Sequence, residues 1–184
     1  MSKKVLIVTG DAVEALELMY PYYRCLEEDV QCTIASPVQK KLQTVVHDFI
    51  PEMETYTEKL GYVIESHTSV DSVDPAEYDG LIIPGGRAPE YIRLNSKVQE
   101  LAAHFLIENK PIGVICHGSL VLTTVREYIK GRTMTAYPAC RPEVEAGGAT
   151  FSENNLYVED NIVSGQAWPD LPGFMKEFLK LLNK

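Results

Sequence analysis

A short apolar run, Ile112 to Ile115, drives straight into Cys116-His117-Gly118, and an apolar helical pattern (Leu120, Val121, Leu122, Val125) begins directly behind it. Strand, abrupt turn and helix in so few residues form the layout of a nucleophile elbow, which lifts one side chain above the end of a sheet. That layout demands a layered α/β fold, because the strand must be buried and the helix must return over a sheet face. It also aims the first backbone N–H groups of the helix at the lifted side chain, where their partial positive charge favours a thiolate. A thiolate with an imidazole beside it is a candidate covalent catalyst. On these residues alone a plainer reading stays open, since free cysteine is often a buried small hydrophobe. Gly113 and Gly118 do not reproduce the esterase spacing G-x-S-x-G either.

The rest of the chain agrees with an α/β layout. Val5 to Val8 reads as a strand closed by Thr9-Gly10-Asp11. Val13 to Glu28 follows as an amphipathic helix with Leu16, Met19, Tyr20 and Tyr23 near one face, and Val30 to Ala35 is a second strand. This β-α-β order predicts a parallel sheet with helices on both faces. The first turn, G-D-A-V-E-A, lacks the later glycines of a dinucleotide fingerprint, so no nucleotide cofactor is expected. Val45-Val46 and Tyr62 to Ile64 predict short strands beside the main sheet, and Tyr78 to Ile83 a buried strand ending in Pro84-Gly85-Gly86. A helix over Val98 to Ile107, strands at Leu156 to Val158 and Ile162 to Ser164, and a closing helix from Leu171 to Leu182 complete the pattern. With no repeat, linker or low-complexity tract, the 184 residues are expected to form a single domain, 1–184.

Composition narrows the function classes. A net charge of −9 argues against nonspecific nucleic-acid binding, which needs basic patches. Val5 to Val8 is too short for a signal-peptide core, and nothing later is long and apolar enough to span a bilayer, so neither a leader nor a membrane partner is expected. Cys25, Cys32, Cys116 and Cys140 show no C-x-x-C pair and no metal-ligand spacing. A reduced, cytoplasmic protein with no bound metal is the expectation.

In an open parallel sheet, ligands bind at the carboxyl ends of the strands near the topological switch point. Three segments leave strands there: Gly10 to Glu14, Gly85-Gly86 and Cys116-His117. Together with V-H-D-F (46–49), Y-D-G-L-I-I-P-G-G-R-A-P-E-Y (78–91), K-P-I-G-V-I-C-H-G (110–118), K-G-R-T-M-T-A-Y-P (130–138) and A-W-P (167–169), they resemble the DJ-1/PfpI (ThiJ/PfpI) superfamily over nearly the full length. G-G-R-A-P-E with I-C-H-G points within it to the PfpI-like branch and plant DJ-1D-like glyoxalases. The resemblance implies a flavodoxin-like three-layer α/β/α sandwich with a mostly parallel sheet and the cysteine on an elbow.

It also implies roles. Cys116 is the nucleophile, His117 its acid–base neighbour, and Glu14 the glutamate whose carboxyl group meets the sulfur. An ionised carboxylate there would raise the thiol pKa, so Glu14 helps only when protonated, as a hydrogen-bond donor and general acid. Read alone, Glu14 is equally a solvated charge at a helix N-terminus. The amides of Gly85 and Gly86, with that of His117, are candidates for an oxyanion hole, although Gly-Gly also makes a plain tight turn. Tyr137 falls near the pocket or serves packing. Glu90 matches a residue that PfpI-type peptidases are proposed to supply to the histidine across a subunit interface; the alternative is an exposed helix-start charge. Two departures stand out: relatives with A-W-P often continue G-H-P, whereas Asp170-Leu171-Pro172 follow here, and Cys140 stands where a branched aliphatic is usual.

The implied activity is a cysteine-dependent, glutathione-independent glyoxalase acting on a small reactive carbonyl, with overlapping deglycase chemistry and no cofactor. The alternatives are a PfpI-type cysteine peptidase or amidase, and a redox-sensing or stress-protective protein using Cys116 oxidation. A homo-oligomer (dimer, trimer or hexamer) is expected. Glutamine amidotransferase is excluded, because its histidine lies far downstream and no histidine follows His117.

Overall fold

In the computed structural model, which describes residues 2–184, strand β1 (Lys4–Val8) is buried on both faces. Val5 and Ile7 point into one core and Leu6 and Val8 into another, the period-two alternation of a strand with a layer on each side. The chain then forms α1 (Ala15–Glu27), β2 (Gln31–Ser36) and an antiparallel ribbon, β3 (Lys41–Asp48) with β4 (Thr57–Glu65). Next come β5 (Thr68–Ser69), β6 (Gly80–Ile83), α2 (Ala88–Ile92), α3 (Ser96–Ile107) and β7 (Ile112–Ile115). Two short helices follow, α4 (Ser119–Leu122) and α5 (Arg126–Ile129), then β8 (Thr133–Met134), α6 (Arg141–Ala146) and β9 (Thr150–Phe151). A hairpin of β10 (Leu156–Glu159) and β11 (Ile162–Gly165) leads into α7 (Leu171–Leu182).

The main sheet has seven strands in the order β10-β11-β7-β6-β1-β2-β5, and only β10 runs antiparallel. On one face α1 and α7 pack through Leu18, Cys25, Phe174 and Phe178; on the other α3 packs through Val98, Leu101 and Phe105. Burying a side chain as large as Phe174 or Phe178 stabilises the fold by roughly 2–3 kcal/mol. The architecture is therefore the expected α/β sandwich with a mostly parallel sheet. Sequence order reverses across β1, with β2 on one side and β6 on the other, and the loops after β1 and β6 meet the end of β7 at that switch point.

Two local expectations change. The buried residues of α1 are Ala15, Glu17, Leu18, Pro21 and Cys25, whereas Leu16 and Tyr23 are 52% and 53% exposed. The helix is turned so that Leu18, Glu17 and the smaller Ala15, Pro21 and Cys25 face inward while Leu16 and Tyr23 face outward. The helix after Cys116 breaks into α4 and α5, because Thr123 and Thr124 hydroxyls donate to the carbonyls of Leu120 (2.8 Å) and Val121 (2.7 Å). Among the described residues, no helix is long and apolar enough to cross a membrane.

Candidate active site at the Cys116 elbow

β7 delivers Cys116 at φ +57°, a left-handed conformation that is strained for a residue with a Cβ. The turn is possible because its neighbours are small. A Cβ on Gly118 would stand 2.1 Å from the carbonyl oxygen of Ile83, and one on Gly85 would stand 2.5 Å from both Cys116 Cβ and Glu17 Oε2. The backbone N–H groups of Gly86 and His117 point at the sulfur and favour its charged form. Cys116 is only 1% exposed, and burial, followed by the nearby Glu17 carboxyl, holds its thiol well above the usual range. Burial therefore favours the protonated thiol over the thiolate.

The glutamate that meets this sulfur is Glu17, a correction to the assignment of Glu14. Glu14 is the N-cap of α1, and its Oε2 accepts a hydrogen bond from Glu17 N at 2.8 Å. Its carboxyl is spent on its own helix, as capping physics favours. One turn on, Glu17 points inward to the elbow, interacts directly with Cys116, and accepts from Gly85 N at 2.8 Å through Oε2. Its Oε1 is buried with no hydrogen-bond partner among the described residues. Complete burial, reinforced by the negative charge of Glu14, holds Glu17 well above the usual carboxylate range and favours its protonated form. The same contact revises the oxyanion hole: Gly85 N–H is occupied by Glu17, leaving Gly86 and His117 as the amides that address the sulfur.

His117 Nδ1 lies 3.2 Å from Cys116 Sγ. Burial, with a smaller effect from His47, lowers the imidazole to about 4, so it stands as a neutral base beside a neutral thiol. Its Nε2 is 3.9 Å from Glu90 Oε1 of the same chain, so this contact needs no second subunit. Tyr137 stacks on the His117 ring at 5.3 Å, and its backbone N–H donates to the Cys116 carbonyl at 3.2 Å. Cys140 is buried nearby, and burial pushes its thiol up to about 12.

Tyr56, Phe49, Asp170, Glu58 and Arg87 also close the site, and nothing in the sequence assigns them to it. The loop over residues 49–56, between β3 and β4, lays Tyr56 across His47 (4.1 Å, stacked), Tyr137 (5.3 Å) and the edge of His117 (6.2 Å). Phe49 stacks on Trp168 at 4.7 Å, and Asp170 Oδ2 steadies that corner by accepting from Gln166 N and Ala167 N. Glu58 ties the ribbon down, accepting from Arg87 Nε (2.9 Å) and Nη2 (2.8 Å) and lying 3.1 Å from His47 Nε2. Arg87 holds the Glu58 carboxyl down at about 2. The ribbon is thus a lid, clamped by the residue immediately after Gly86. Beside it a cavity of about 370 Å³ is lined by Phe49, Glu54, Tyr137, Gln166 and Asp170. A larger groove of about 600 Å³, lined by Asp11, Lys40, Arg87 and Tyr91, lies away from the thiol. Among the described residues no group of three His, Cys, Asp or Glu side chains is arranged to hold a metal.

The family model described as the DJ-1/PfpI family matches residues 3–181. The chain is 36% identical over 189 residues to Protein DJ-1 homolog D of Arabidopsis thaliana, covering 99% of this chain and 48% of that protein. It is 37% identical over 180 residues to a deglycase of Pyrococcus horikoshii, covering 98% of this chain and 99% of that one. This chain therefore spans about half the length of the plant relative and nearly all of the archaeal one. A crystal structure of a ThiJ/PfpI domain protein from Brachyspira murdochii matches with a TM-score of 0.85 at 18% identity, over 100% of this chain and 98% of that one, a likeness of fold. With the family model covering almost every residue from β1 to the end of α7, the chain belongs to the DJ-1/PfpI family.

Proposed function

We propose that the protein is a cysteine-dependent, glutathione-independent glyoxalase that converts methylglyoxal to lactate. The observation that carries this reading is the Cys116 sulfur 3.2 Å from His117 Nδ1, with the fully buried Glu17 carboxyl beside the same elbow and burial favouring the neutral form of each group. Cys116 sulfur adds to the aldehyde carbon while His117 takes the thiol proton and Glu17 protonates the aldehyde oxygen, giving a hemithioacetal. Glu17, now a carboxylate, removes the hydrogen on that carbon as a proton, and the His117 imidazolium protonates the ketone oxygen. The resulting enediol receives a proton from Glu17 on the second carbon, the first hydroxyl gives its proton to His117, and a lactoyl thioester remains. Glu17 then draws a proton from water; the hydroxide attacks the thioester carbonyl, the sulfur leaves, and His117 returns its proton. The lid keeps bulk water from the enediol. The deglycase name of the archaeal relative fits the same site, since deglycation overlaps with this chemistry at the hemithioacetal.

The test is direct measurement of lactate formed from methylglyoxal without glutathione, by the native chain and by Cys116→Ser. Loss of aldehyde alone is insufficient, because any thiol adds to it reversibly. Turnover confined to the native chain is the expected result; no lactate from folded, reduced native protein overturns it. One observation favours a second reading, a cysteine peptidase or amidase: Cys116, His117 and Glu90 stand in sequence as thiol, imidazole and carboxylate. Release of amine from peptide and amide substrates, dependent on both Cys116 and Glu90, tests it.

A further inference from the structure

His47, in the V-H-D-F stretch at the end of β3, is a buried titratable group that the proposed reaction leaves idle. Its side chain is fully enclosed. The ring stacks on Tyr56 at 4.1 Å, and the Tyr56 ring in turn meets His117 at 6.2 Å and Tyr137 at 5.3 Å. Trp168 stands 6.3 Å from His47. The imidazole therefore shares one aromatic enclosure with the His117 ring. Its two nitrogens are used differently. Nε2 lies 3.1 Å from Glu58 Oε2, and Arg87 keeps that carboxyl ionised. A carboxylate only accepts, so Nε2 carries a hydrogen and donates it to Glu58. In the neutral imidazole this leaves a lone pair on Nδ1. Nδ1 is buried and has no hydrogen-bond partner among the described residues. A sealed, unpaired acceptor is a standing cost to the fold, which a bound O–H or N–H donor removes. The Arg87–Glu58 pair thus fixes the tilt of the ring and the nitrogen that is left to accept, as a carboxylate does for a catalytic histidine.

We propose that His47 Nδ1 accepts a hydrogen bond from the hydroxyl on the second carbon of the enediol, and so fixes which face of that carbon is protonated. The inference rests on the glyoxalase reading. Protonation of the ketone oxygen creates this hydroxyl, and it stays on the substrate through the lactoyl thioester to lactate. By then Cys116 is bonded to the first carbon, while His117 and Glu17 are exchanging protons, so none of the three offers it a lasting acceptor. A hydrogen bond to Nδ1 stops rotation about the bond between sulfur and the first carbon. Glu17 then meets one face of the second carbon, and one enantiomer of lactate forms. No proton passes to His47: the hydroxyl hydrogen remains on oxygen throughout.

Two substitutions separate this role from a mere hold on the lid. In His47→Asn the amide oxygen falls near the position of Nδ1, and the shorter side chain gives up Glu58. In His47→Gln the amide nitrogen falls near the position of Nε2, where it donates to Glu58, and no acceptor replaces Nδ1. Lactate formed from methylglyoxal without glutathione is measured for the native chain and both variants, and its enantiomers are separated by chiral chromatography. Native protein should give mainly one enantiomer. His47→Gln should lose roughly 10- to 100-fold in kcat, with its lactate approaching the racemate. His47→Asn should keep the enantiomeric excess and more of the rate. The reverse order, with the excess kept in His47→Gln and lost in His47→Asn, would mean that His47 acts only through Glu58, and overturns the proposal. Racemic lactate from the native chain overturns it too, while leaving the glyoxalase reading in place. No lactate from folded, reduced native protein overturns both.

Discussion

Replacing Glu17 by glutamine separates the chemistry of this carboxyl from its packing. The glutamine oxygen still accepts from Gly85 N–H, now at 2.8 Å to Glu17 Oε2, and the amide nitrogen takes the place of the protonated oxygen. Since burial favours the protonated Glu17, the exchange changes no charge at low pH, and below pH 4.5 stability should move by no more than about 1 kcal/mol. Glutamine cannot give or take the proton the reaction moves, so lactate turnover should fall by roughly 10²–10⁴-fold. Glu14→Gln is the contrast: its amide oxygen still caps α1 at Glu17 N, and turnover should stay within about tenfold of native, the loss expected if it acts only through the helix start. The pH dependence has a definite sign. A glutamate whose folded pKa is raised stabilises the fold relative to its ionised form at low pH, and loses that advantage as pH rises past the ordinary value of 4.5 toward the folded one. Glu17→Gln should therefore gain stability relative to native as pH rises through that window, in urea unfolding at a series of pH values. Native-like lactate turnover in folded Glu17→Gln, with loss in Glu14→Gln, would falsify the assignment of the acid–base role to Glu17.

Three further outcomes follow from the geometry. Because His117 is lowered from 6.5 to about 4, native stability should decline by roughly 3 kcal/mol as pH falls through that window, and His117→Asn should lose this part of the slope in the same unfolding series. Arg87→Ala releases Glu58; for an exposed pair worth about 0.4–1 kcal/mol, lid opening and alkylation of Cys116 by iodoacetamide should speed up by roughly 2- to 5-fold, and an unchanged rate would show that the pair does not hold the lid. Gly85→Ala places a methyl group 2.5 Å from Cys116 Cβ and from Glu17 Oε2, and should cost about 1–3 kcal/mol in thermal unfolding together with most of the turnover; native-like values for both would show that the elbow is not closely packed.

Much of this arrangement is legible in the sequence for a physical reason. A buried parallel strand must be a short apolar run, so β1, β6, β7 and β11 announce themselves, and the long apolar stripe of α7 does so by its helical period. The elbow is legible because Cys116-His117-Gly118 interrupts such a run. The orientation of α1 is not, because a hydrophobic pattern ranks Leu16 and Tyr23 above Ala15, Cys25 and an acidic residue. Glu17 is hidden by the same rule: a carboxyl is assigned to solvent unless the chain buries it for chemistry. One available signal was its spacing of three residues from the cap, which puts it in the first turn of the helix facing Gly85. The strands of the lid are legible at Val45-Val46 and Tyr62 to Ile64, but their extent and their role over the site are not. β3 and β4 form a two-stranded ribbon outside the main sheet, with Leu60, Tyr62 and Val63 exposed, so burial imposes no clean alternation on it. The contacts of Tyr56, Glu58 and Arg87 join segments distant in sequence, and no local period records them.

The resting charges also discriminate among the reactions considered. Burial favours the neutral forms of the thiol, the imidazole and the Glu17 carboxyl, and opposes creating a lone thiolate there. Chemistry in such a chamber favours steps in which a proton leaves one group as another arrives, so that little net charge accumulates. Addition of a thiol to an aldehyde meets that condition, because the oxygen that becomes negative is protonated at once by Glu17. An amide demands more: its tetrahedral oxyanion must persist while the amine is protonated, and the Gly85 N–H that could help to hold it is occupied by Glu17. Access sharpens the distinction. Cys116 is 1% exposed, and an extended peptide would have to displace the Glu58–Arg87 clamp to reach it. Arg87→Ala thus separates the two reactions: a loosened lid should raise any peptide cleavage and lower the lactate yield by admitting water to the enediol. Gains in both together would contradict the role given to the lid.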